Sequence, residues 1–439
     1  GSAACYLDVH HPEIEEFLEI RKPSGDFNRK SLNLHHGINI TDEFMNCVKN
    51  NQDFSLRSPK NNEVLRKVNA RELWQKILET RMATGEPYLV FVDTVNNSMS
   101  KHQKESGLKV STSNLCSEIM LHTGMDHKGK ERTAVCCLSS VNLEKWEEWY
   151  TDINFIEDIM RFLDNVLTDF INRAPESFDD AKYSATRERS VGLGVMGFHS
   201  FMQKNMIPIE SVMAKVWNKK MFQLIDKEVN AASKKLAEER GPCPDAAEYG
   251  INERFSNKTA IAPTASISII CGGASPGIEP IAANSYTHKT LSGSFNVRTK
   301  YLRKILQKYN QDTNEVWSSI TTNQGSIDHL DFLSQDEKDV FKTAFEIDQR
   351  WLIDHSADRT PYISQAQSLN VFIPADIHKK QLHQIHYQAW KKGLKSLYYC
   401  RSKSIQRAEV VNDSFAKTKK QTIQEKQQTT DYEECLSCQ

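Results

Sequence analysis

Residues 69–92, NARELWQKILETRMATGEPYLVFV, decide the fold class. Asn69-Ala70-Arg71-Glu72 opens a helix whose apolar residues Leu73, Trp74, Ile77, Leu78 and Met82 recur at helical spacing. Gly85 and Pro87 stop it, and Tyr88 to Val92 then reads as a buried strand. The same alternation continues outward. Phe155 to Ile171 is a helix with Ile156, Ile159, Leu163, Val166, Leu167 and Phe170 on one broad face. Val212 to Ala237 is another, closed by Gly241 and Pro242. Lys258 to Ala262 reads as a short strand ended by Pro263, and Ser368 to Ile373 as a further strand. A helix from Ile377 to Leu394, ended near Gly393, and a strand from Leu397 to Tyr399 complete the pattern. Helices alternating with short apolar strands predict an α/β domain with a largely parallel sheet.

The 439 residues exceed what a single small core needs: at about 150 residues per domain they allow roughly three units or one large α/β domain. Hydrophobic residues at 39% and charged residues at 26% fit an ordinary globular protein. Lys and Arg number 56 against 57 Asp and Glu, a net charge of −1. That balance gives no electrostatic reason to expect nucleic-acid or acidic-membrane binding, and the basic run Lys417 to Lys420 reads as solvated. No run of 18 apolar residues and no secretory leader is visible. The ten cysteines are therefore expected as reduced thiols in a cytoplasmic protein, with any special one catalytic or redox-active. The sequence opens without Met on a segment that already reads as structured, the pattern of a fragment, a processed chain or a split protein. Residues 1–410 read as one α/β unit. From about Val411 the chain turns polar and Lys/Gln/Thr-rich, so 411–439 reads as a mobile tail.

Four constellations carry chemistry-bearing residues. The tail ends in Cys435-Leu436-Ser437-Cys438-Gln439. As a zinc half-site it has no second pair, and as a thioredoxin-type site it has no strand–helix setting. The remaining readings are an inert pair or a tethered dithiol able to exchange with a disulfide elsewhere. In Ser113-Asn114-Leu115-Cys116-Ser117-Glu118-Ile119-Met120, alternation puts an amide, a thiol and a carboxylate on one side, away from Leu115 and Ile119. Such a grouping suits acid–base chemistry around a reactive sulfur better than packing. The adjacent Cys136 and Cys137 point to opposite faces if extended, so at most one faces that site; two core thiols is the plainer reading. Thr264, Ala265, Ser266 and Ile267 follow a strand and open a helix beside the Gly-rich stretch 271–280, a setting for a phosphate or merely a capped helix.

Two further patterns have plain readings. Gly192, Gly194 and Gly197 fit GxGxxG, but Arg187-Glu188-Arg189-Ser190 precedes them and no second strand ends at Glu210, so they read as close helix packing. Tyr398 and Tyr399 stand adjacent at a strand end, where aromatic pairs are usually core residues.

Taken together these segments resemble the large, catalytic subunit of class I ribonucleotide reductase. The resemblance runs through NLCSEI at 114–119, VCCLSSVNL at 135–143, RSVGLGVMGF at 189–198, APTASIS at 262–268, PGIEP at 276–280, QSLNVFI at 367–373, SLYY at 396–399 and the CxxC tail. It implies a ten-stranded α/β barrel with the radical cysteine on a finger loop inside it. Cys116 would be the transient thiyl radical that takes the 3′ hydrogen of the ribose. Glu118 would accept the 3′ hydroxyl proton and Asn114 would orient the sugar. Cys136 would be one of two thiols that reduce the substrate as the 2′ hydroxyl leaves as water, with Cys137 facing away. Thr264, Ala265, Ser266 and Ile267 would hold the diphosphate. Tyr398 and Tyr399 would carry the radical in from a small subunit. Cys435 and Cys438 would reduce the spent disulfide and be renewed by thioredoxin or glutaredoxin.

The implied substrates are ribonucleoside diphosphates, and the implied assembly is a homodimer of the complete subunit with the small subunit. No metal or cofactor is expected in this chain; the metal–tyrosyl radical belongs to the small subunit. In the family an ATP-binding domain and a first half-barrel precede the segment resembled here. That part carries the second reducing thiol and most of the ATP and dNTP effector sites. None of Cys5, Cys47, Cys243, Cys271 or Cys400 sits in the second thiol's context. Two other readings stay open: a cobalamin-dependent reductase, which would not need Tyr398 and Tyr399, and an inactive half-barrel that regulates a full-length enzyme.

Overall fold

The computed structural model describes residues 2–290 and 293–402. Cys435 and Cys438 lie outside the described residues. The elements that build the site are numbered in chain order: strands β1 (Ala4–Asp8) and β2 (His35–Ile40), helix α1 (Ala70–Thr84), strand β3 (Tyr88–Phe91) and strand β4 (Leu138–Asn142). There follow α2 (Phe155–Arg173), β5 (Gly192–Met196), α3 (Val212–Arg240), α4 (Ile267–Ile270), β6 (Val371–Ile373), α5 (Lys379–Lys391), β7 (Ser396–Leu397) and β8 (Cys400–Ser402).

The segment that set the fold class folds as its pattern predicts. The Asn69 side chain accepts from the N–H groups of Arg71 and Glu72, satisfying donors that the first helical turn leaves open. Gly85, at φ +83°, ends α1 in the left-handed region that favours glycine. Leu73, Trp74, Ile77 and Leu78 are buried in the main core, each side chain contributing about 1.5–3 kcal/mol. β3 is buried along its whole length.

Parallel pairing dominates the wall. β1 pairs with β2 and β2 with β3, all parallel, while β7 runs antiparallel to β3. β4 pairs with β5 and β6 with β8, again parallel. Parallel bridges join Leu193 to Thr259 and Ile261 to Gln367, linking the two groups of strands. The antiparallel pairs elsewhere are peripheral hairpins, such as Asp53–Arg57 with Val64–Asn69. Helices α1, α2, α3 and α5 cover the wall and supply much of one large core, while a smaller helical cluster gathers around Leu302, Trp317, Ile320 and Phe341. Among the described residues no helix is long and apolar enough to cross a membrane.

Three expectations need correction. Lys258 to Ala262 is not a continuous strand: Lys258 and Thr259 donate their N–H groups to Ser364 Oγ at 2.9 and 3.0 Å, which diverts them from a ladder. The 397–399 strand is interrupted at the tyrosines, because Tyr399 N–H donates to the Asn370 side chain at 3.0 Å rather than to a strand carbonyl. Gly192 and Gly194 serve strand packing, not helix packing, while Gly197, at φ +79°, turns the chain into the helix Phe198–Lys204. A Cβ on Gly194 would lie 2.4 Å from the Ala260 carbonyl oxygen, so only glycine lets the two backbones approach.

Candidate active site

The stretch 113–120 leaves the wall, turns at Leu115-Cys116 and returns. It is a tight turn rather than an extended segment, with Ser117 at φ +63°. Asn114 makes the turn: its Oδ1 accepts from the N–H groups of Glu118 and Ile119, both at 3.1 Å. Asn114 and Glu118 therefore share one side of the loop. Hydroxyls from three distant segments fix it. Tyr6 of β1 donates to the Asn114 carbonyl at 2.8 Å, Ser368 to the Cys116 carbonyl at 2.6 Å, and Ser396 of β7 to the Ser117 carbonyl at 2.8 Å.

Cys116 ends up 1% exposed in a pocket with Tyr88, Leu115 and Tyr398. The Tyr398 hydroxyl donates to its Sγ at 3.7 Å. Tyr399 follows at a ring-centroid distance of 4.3 Å from Tyr398, and Tyr88 of β3 lies 4.8 and 5.1 Å from the two rings. Sulfur and phenols thus form one contiguous apolar path. Burial holds the Tyr398 and Tyr399 phenols protonated, well above the ordinary tyrosine range.

Glu118 is fully buried and accepts from Ser368 Oγ at 3.0 Å through one oxygen. Its Oε1 and the Asn114 Nδ2 are buried without a partner. Unsatisfied buried groups cost about 1–3 kcal/mol each, so an acceptor and a donor left open side by side mark a place where a ligand's hydroxyls fit. Burial pushes the Glu118 carboxyl up to about 7, and the nearby Asn114 amide, its own backbone N–H and the Ser368 hydroxyl offset only part of that. A carboxyl poised there exchanges a proton readily near neutral pH.

The other expected site residues come from neighbouring segments: Ala134 and Leu138, on either side of Cys136, pack with Ile119, and the 264–267 loop follows a segment beside Ser368. Cys136 is exposed just before β4, whereas Cys137 is buried with its thiol toward the Leu163 carbonyl at 3.8 Å. Burial pushes the Cys137 thiol up to about 11, away from thiolate chemistry. Thr264 is buried at φ +54° and accepts from the Gly277 N–H at 2.7 Å; Ala265, Ser266 and Ile267 lead into α4. The loop follows the Thr259–Ile261 segment, whose neighbour Gln367 precedes the Ser368 that holds Cys116 and Glu118. The sequence reading missed Tyr6, Tyr88, Ser368 and Ser396. Ser368 and Ser396 lie inside the quoted stretches 367–373 and 396–399, but their partners are about 250 to 280 residues away along the chain.

A family model for the ribonucleotide reductase barrel domain matches residues 1–249 and 245–400. A putative ribonucleoside-diphosphate reductase large subunit of Frog virus 3 (isolate Goorha) is 42% identical over the whole chain, which spans 75% of that relative. The large subunit of Invertebrate iridescent virus 3 is 39% identical over 92% of the chain and 72% of its own length. Among solved structures, the Actinobacillus ureae class Id ribonucleotide reductase alpha subunit superimposes with a TM-score of 0.80. It is 34% identical over 92% of this chain and 71% of that one. Parallel wall, buried cysteine turn and phenol path thus occur in a barrel of reductase type. The chain belongs to the ribonucleotide reductase large-subunit family.

Proposed function

We propose that this chain reduces ribonucleoside diphosphates to 2′-deoxyribonucleotides by thiyl-radical chemistry at Cys116. The observation that carries the reading is the buried Tyr398 hydroxyl on the Cys116 sulfur at 3.7 Å, with the tilted Tyr399 ring 4.3 Å behind it. A metal–tyrosyl radical in the partner small subunit supplies the oxidising equivalent. Tyr399 and Tyr398 pass it inward, and Cys116 loses its S–H hydrogen. The resulting sulfur radical takes the 3′ hydrogen of the ribose. Glu118 accepts the 3′ hydroxyl proton, and the open amide of Asn114 holds the sugar. The 2′ hydroxyl leaves as water while Cys136 and a second thiol, carried by the N-terminal half of the complete subunit, become a disulfide, so two thiols supply the two electrons of reduction. Return of the 3′ hydrogen regenerates the Cys116 radical. Thr264, Ala265, Ser266 and Ile267 hold the diphosphate through hydroxyl and backbone N–H groups.

Between turnovers Cys435 and Cys438 reduce the new disulfide and are renewed by thioredoxin or glutaredoxin, a chemistry suited to a reducing cytoplasm. The complete subunit works as a homodimer, with ATP and dNTP effectors acting outside the site described above.

The test separates chemistry from cycling. Pre-reduced enzyme, reconstituted with the N-terminal half of the large subunit and assembled with the small subunit, is mixed with CDP, and deoxynucleotide is counted. Replacing Cys435 and Cys438 by Ser leaves one stoichiometric round of product, abolishes cycling with thioredoxin, and lets dithiothreitol restore part of it. Loss of the first round in that variant overturns the role given to the tail; a parent protein that makes no deoxynucleotide overturns the function.

A further inference from the structure

The path from Cys116 through Tyr398 and Tyr399 ends on a buried polar cluster that the mechanism above leaves unused. His35 of β2 places its Nδ1 3.4 Å from the Tyr399 hydroxyl, 3.1 Å from the Tyr88 hydroxyl and 2.5 Å from Glu86 Oε1. Glu86 is 1% exposed and sits in the turn before β3. Its second oxygen accepts from the His36 N–H at 3.1 Å, and Arg21 Nη2 donates to Oε1 at 3.3 Å. Burial alone would push this carboxyl up; the hydrogen bonds from His35 and His36 and the Arg21 charge outweigh it and hold Glu86 at about 2. The carboxylate is therefore charged throughout the neutral range, and the 2.5 Å contact requires a proton between Nδ1 and Oε1. The His36 imidazole also faces the cluster, its Nδ1 3.6 Å from Glu86 Oε2, but it contacts the carboxylate and not the Tyr399 phenol. The remaining charged groups are Arg401, its guanidinium 5.2 Å from the Tyr399 ring centre, and the buried Arg81, which donates to the Tyr398 carbonyl. Neither is a base.

Oxidation of Tyr399 removes one electron and one proton. The electron leaves toward the small subunit; the proton needs an acceptor within hydrogen-bond reach, because a phenol cation is a far stronger acid than any neighbouring group. We propose that the His35–Glu86 pair is the proton store of the tyrosine relay. As the Tyr399 O–H bond breaks, the proton shared by the pair settles on the Glu86 carboxylate and His35 Nδ1 takes the phenol proton. When the electron returns, both protons move back and no net proton is lost. His35 is a catalytic residue of the relay, since it touches the oxidised phenol, and Glu86 is a positioning residue that acts through it. The His35 side chain is 16% exposed, so small solutes reach it from outside. The proposal rests on the relay reading of Tyr398 and Tyr399.

The test uses the large subunit assembled with its small subunit, with turnover measured between about pH 6 and 9. In His35→Ala the phenol proton must pass to water or hydroxide. Turnover falls about a hundredfold, the typical worth of a positioned acid–base group. The residual rate climbs with pH more steeply than in the parent, substrate KM stays unchanged, and added imidazole restores activity. Glu86→Gln shows a smaller loss with the same pH slope, and Glu86→Asp recovers part of it. Parent-like turnover in His35→Ala overturns the proposal, as does a loss that imidazole does not relieve and that leaves the pH profile parallel to the parent's. Tyr399→Phe is measured alongside. If it turns over normally the relay reading itself falls, whereas a silent Tyr399→Phe beside a parent-like His35→Ala removes the proton store alone.

Discussion

The cysteine turn at 114–119 and the loop at 263–277 lie near one another along the barrel wall yet differ in how far they rely on the rest of the chain. The turn, shaped by Asn114 from within, is also pinned from outside by hydroxyls of Tyr6, Ser368 and Ser396 that come from three distant parts of the chain. The loop is held largely by itself: Gly277 N–H donates to Thr264 Oγ1, Ser268 N–H to the Thr264 carbonyl and Ala274 N–H to the Ser268 carbonyl. Its outside anchors are the Lys300 ammonium, which donates to the Gly272 carbonyl at 3.0 Å, and its far end, where Ser275 and Ser200 exchange hydrogen bonds. Cys116 is 1% exposed, whereas Ile270 at the loop's crest is 81% exposed. A sulfur radical needs an immobile, dry seat, and an anion-holding loop must meet its ligand from solvent. On the proposed function, the contrast separates a part that does chemistry from a part that binds.

If that division holds, the largest effects belong to the turn. Cys116→Ser should give no deoxynucleotide above background when assembled with the small subunit, because an alcohol O–H is far harder to convert to a radical than a thiol S–H. Its stability should fall by only about 1–2 kcal/mol, the order of cost for burying one hydroxyl. Product from this variant would break the comparison outright. Tyr398→Phe should be nearly as severe: it keeps the ring packing against Tyr88 and Tyr399 but loses the oxidisable phenol and its contact to Sγ. Substrate affinity and small-subunit affinity, measured by titration, should remain at parent values while turnover stops.

Glu118→Gln comes next, with turnover lowered by about a hundred- to a thousandfold. Before substrate binds, the parent carboxyl ionises near 7, so kcat/KM should rise with pH through about 7, and that limb should vanish in Gln. Stability moves the other way. The folded carboxyl sits above its unfolded value of about 4.3, so the stability it contributes is complete below about 4.3 and is lost as pH rises through about 7. At pH 8 the parent buries a charge that Gln lacks, at a cost on the order of 3 kcal/mol. Glu118→Gln should therefore melt above the parent at pH 8 and close to it at pH 4, a trade of stability for chemistry that calorimetry can read directly.

How much of this was legible beforehand follows from the range of the interactions. α1 and β3 were plain because caps, spacing and stop signals act within a few residues, as Asn69 and Gly85 do. The grouping of Asn114, Cys116 and Glu118 was legible for the same reason, although the actual device is the Asn114 side chain folding back on the loop rather than strand alternation. The broken strands at 258–262 and 397–399 were misread because Ser364 and Asn370 capture ladder donors from far away in sequence. The supporting hydroxyls of Tyr6, Ser368 and Ser396 carry no local pattern. Their role exists only once the wall has brought the ends of the chain together.

The smallest effect should come from the loop, and it is the sharpest check on the division. Thr264→Val keeps a branched side chain of nearly the same shape at the same left-handed φ of +54°, and removes one atom, the Oγ1 that accepts from Gly277 N–H. The lost bond leaves a buried N–H without its partner, a cost of about 1 kcal/mol that should appear in thermal unfolding. Loosening the hydroxyl-bearing rim should weaken the hold on a diphosphate by about the same energy, raising KM for CDP several-fold to about tenfold. Turnover at saturation should stay within about twofold of the parent, because none of the hydrogen bonds that pin the cysteine turn passes through Thr264. A fall in kcat matching the rise in KM would mean that the loop sets the geometry of the reacting sugar as well as its affinity. Turn and loop would then be one device rather than two.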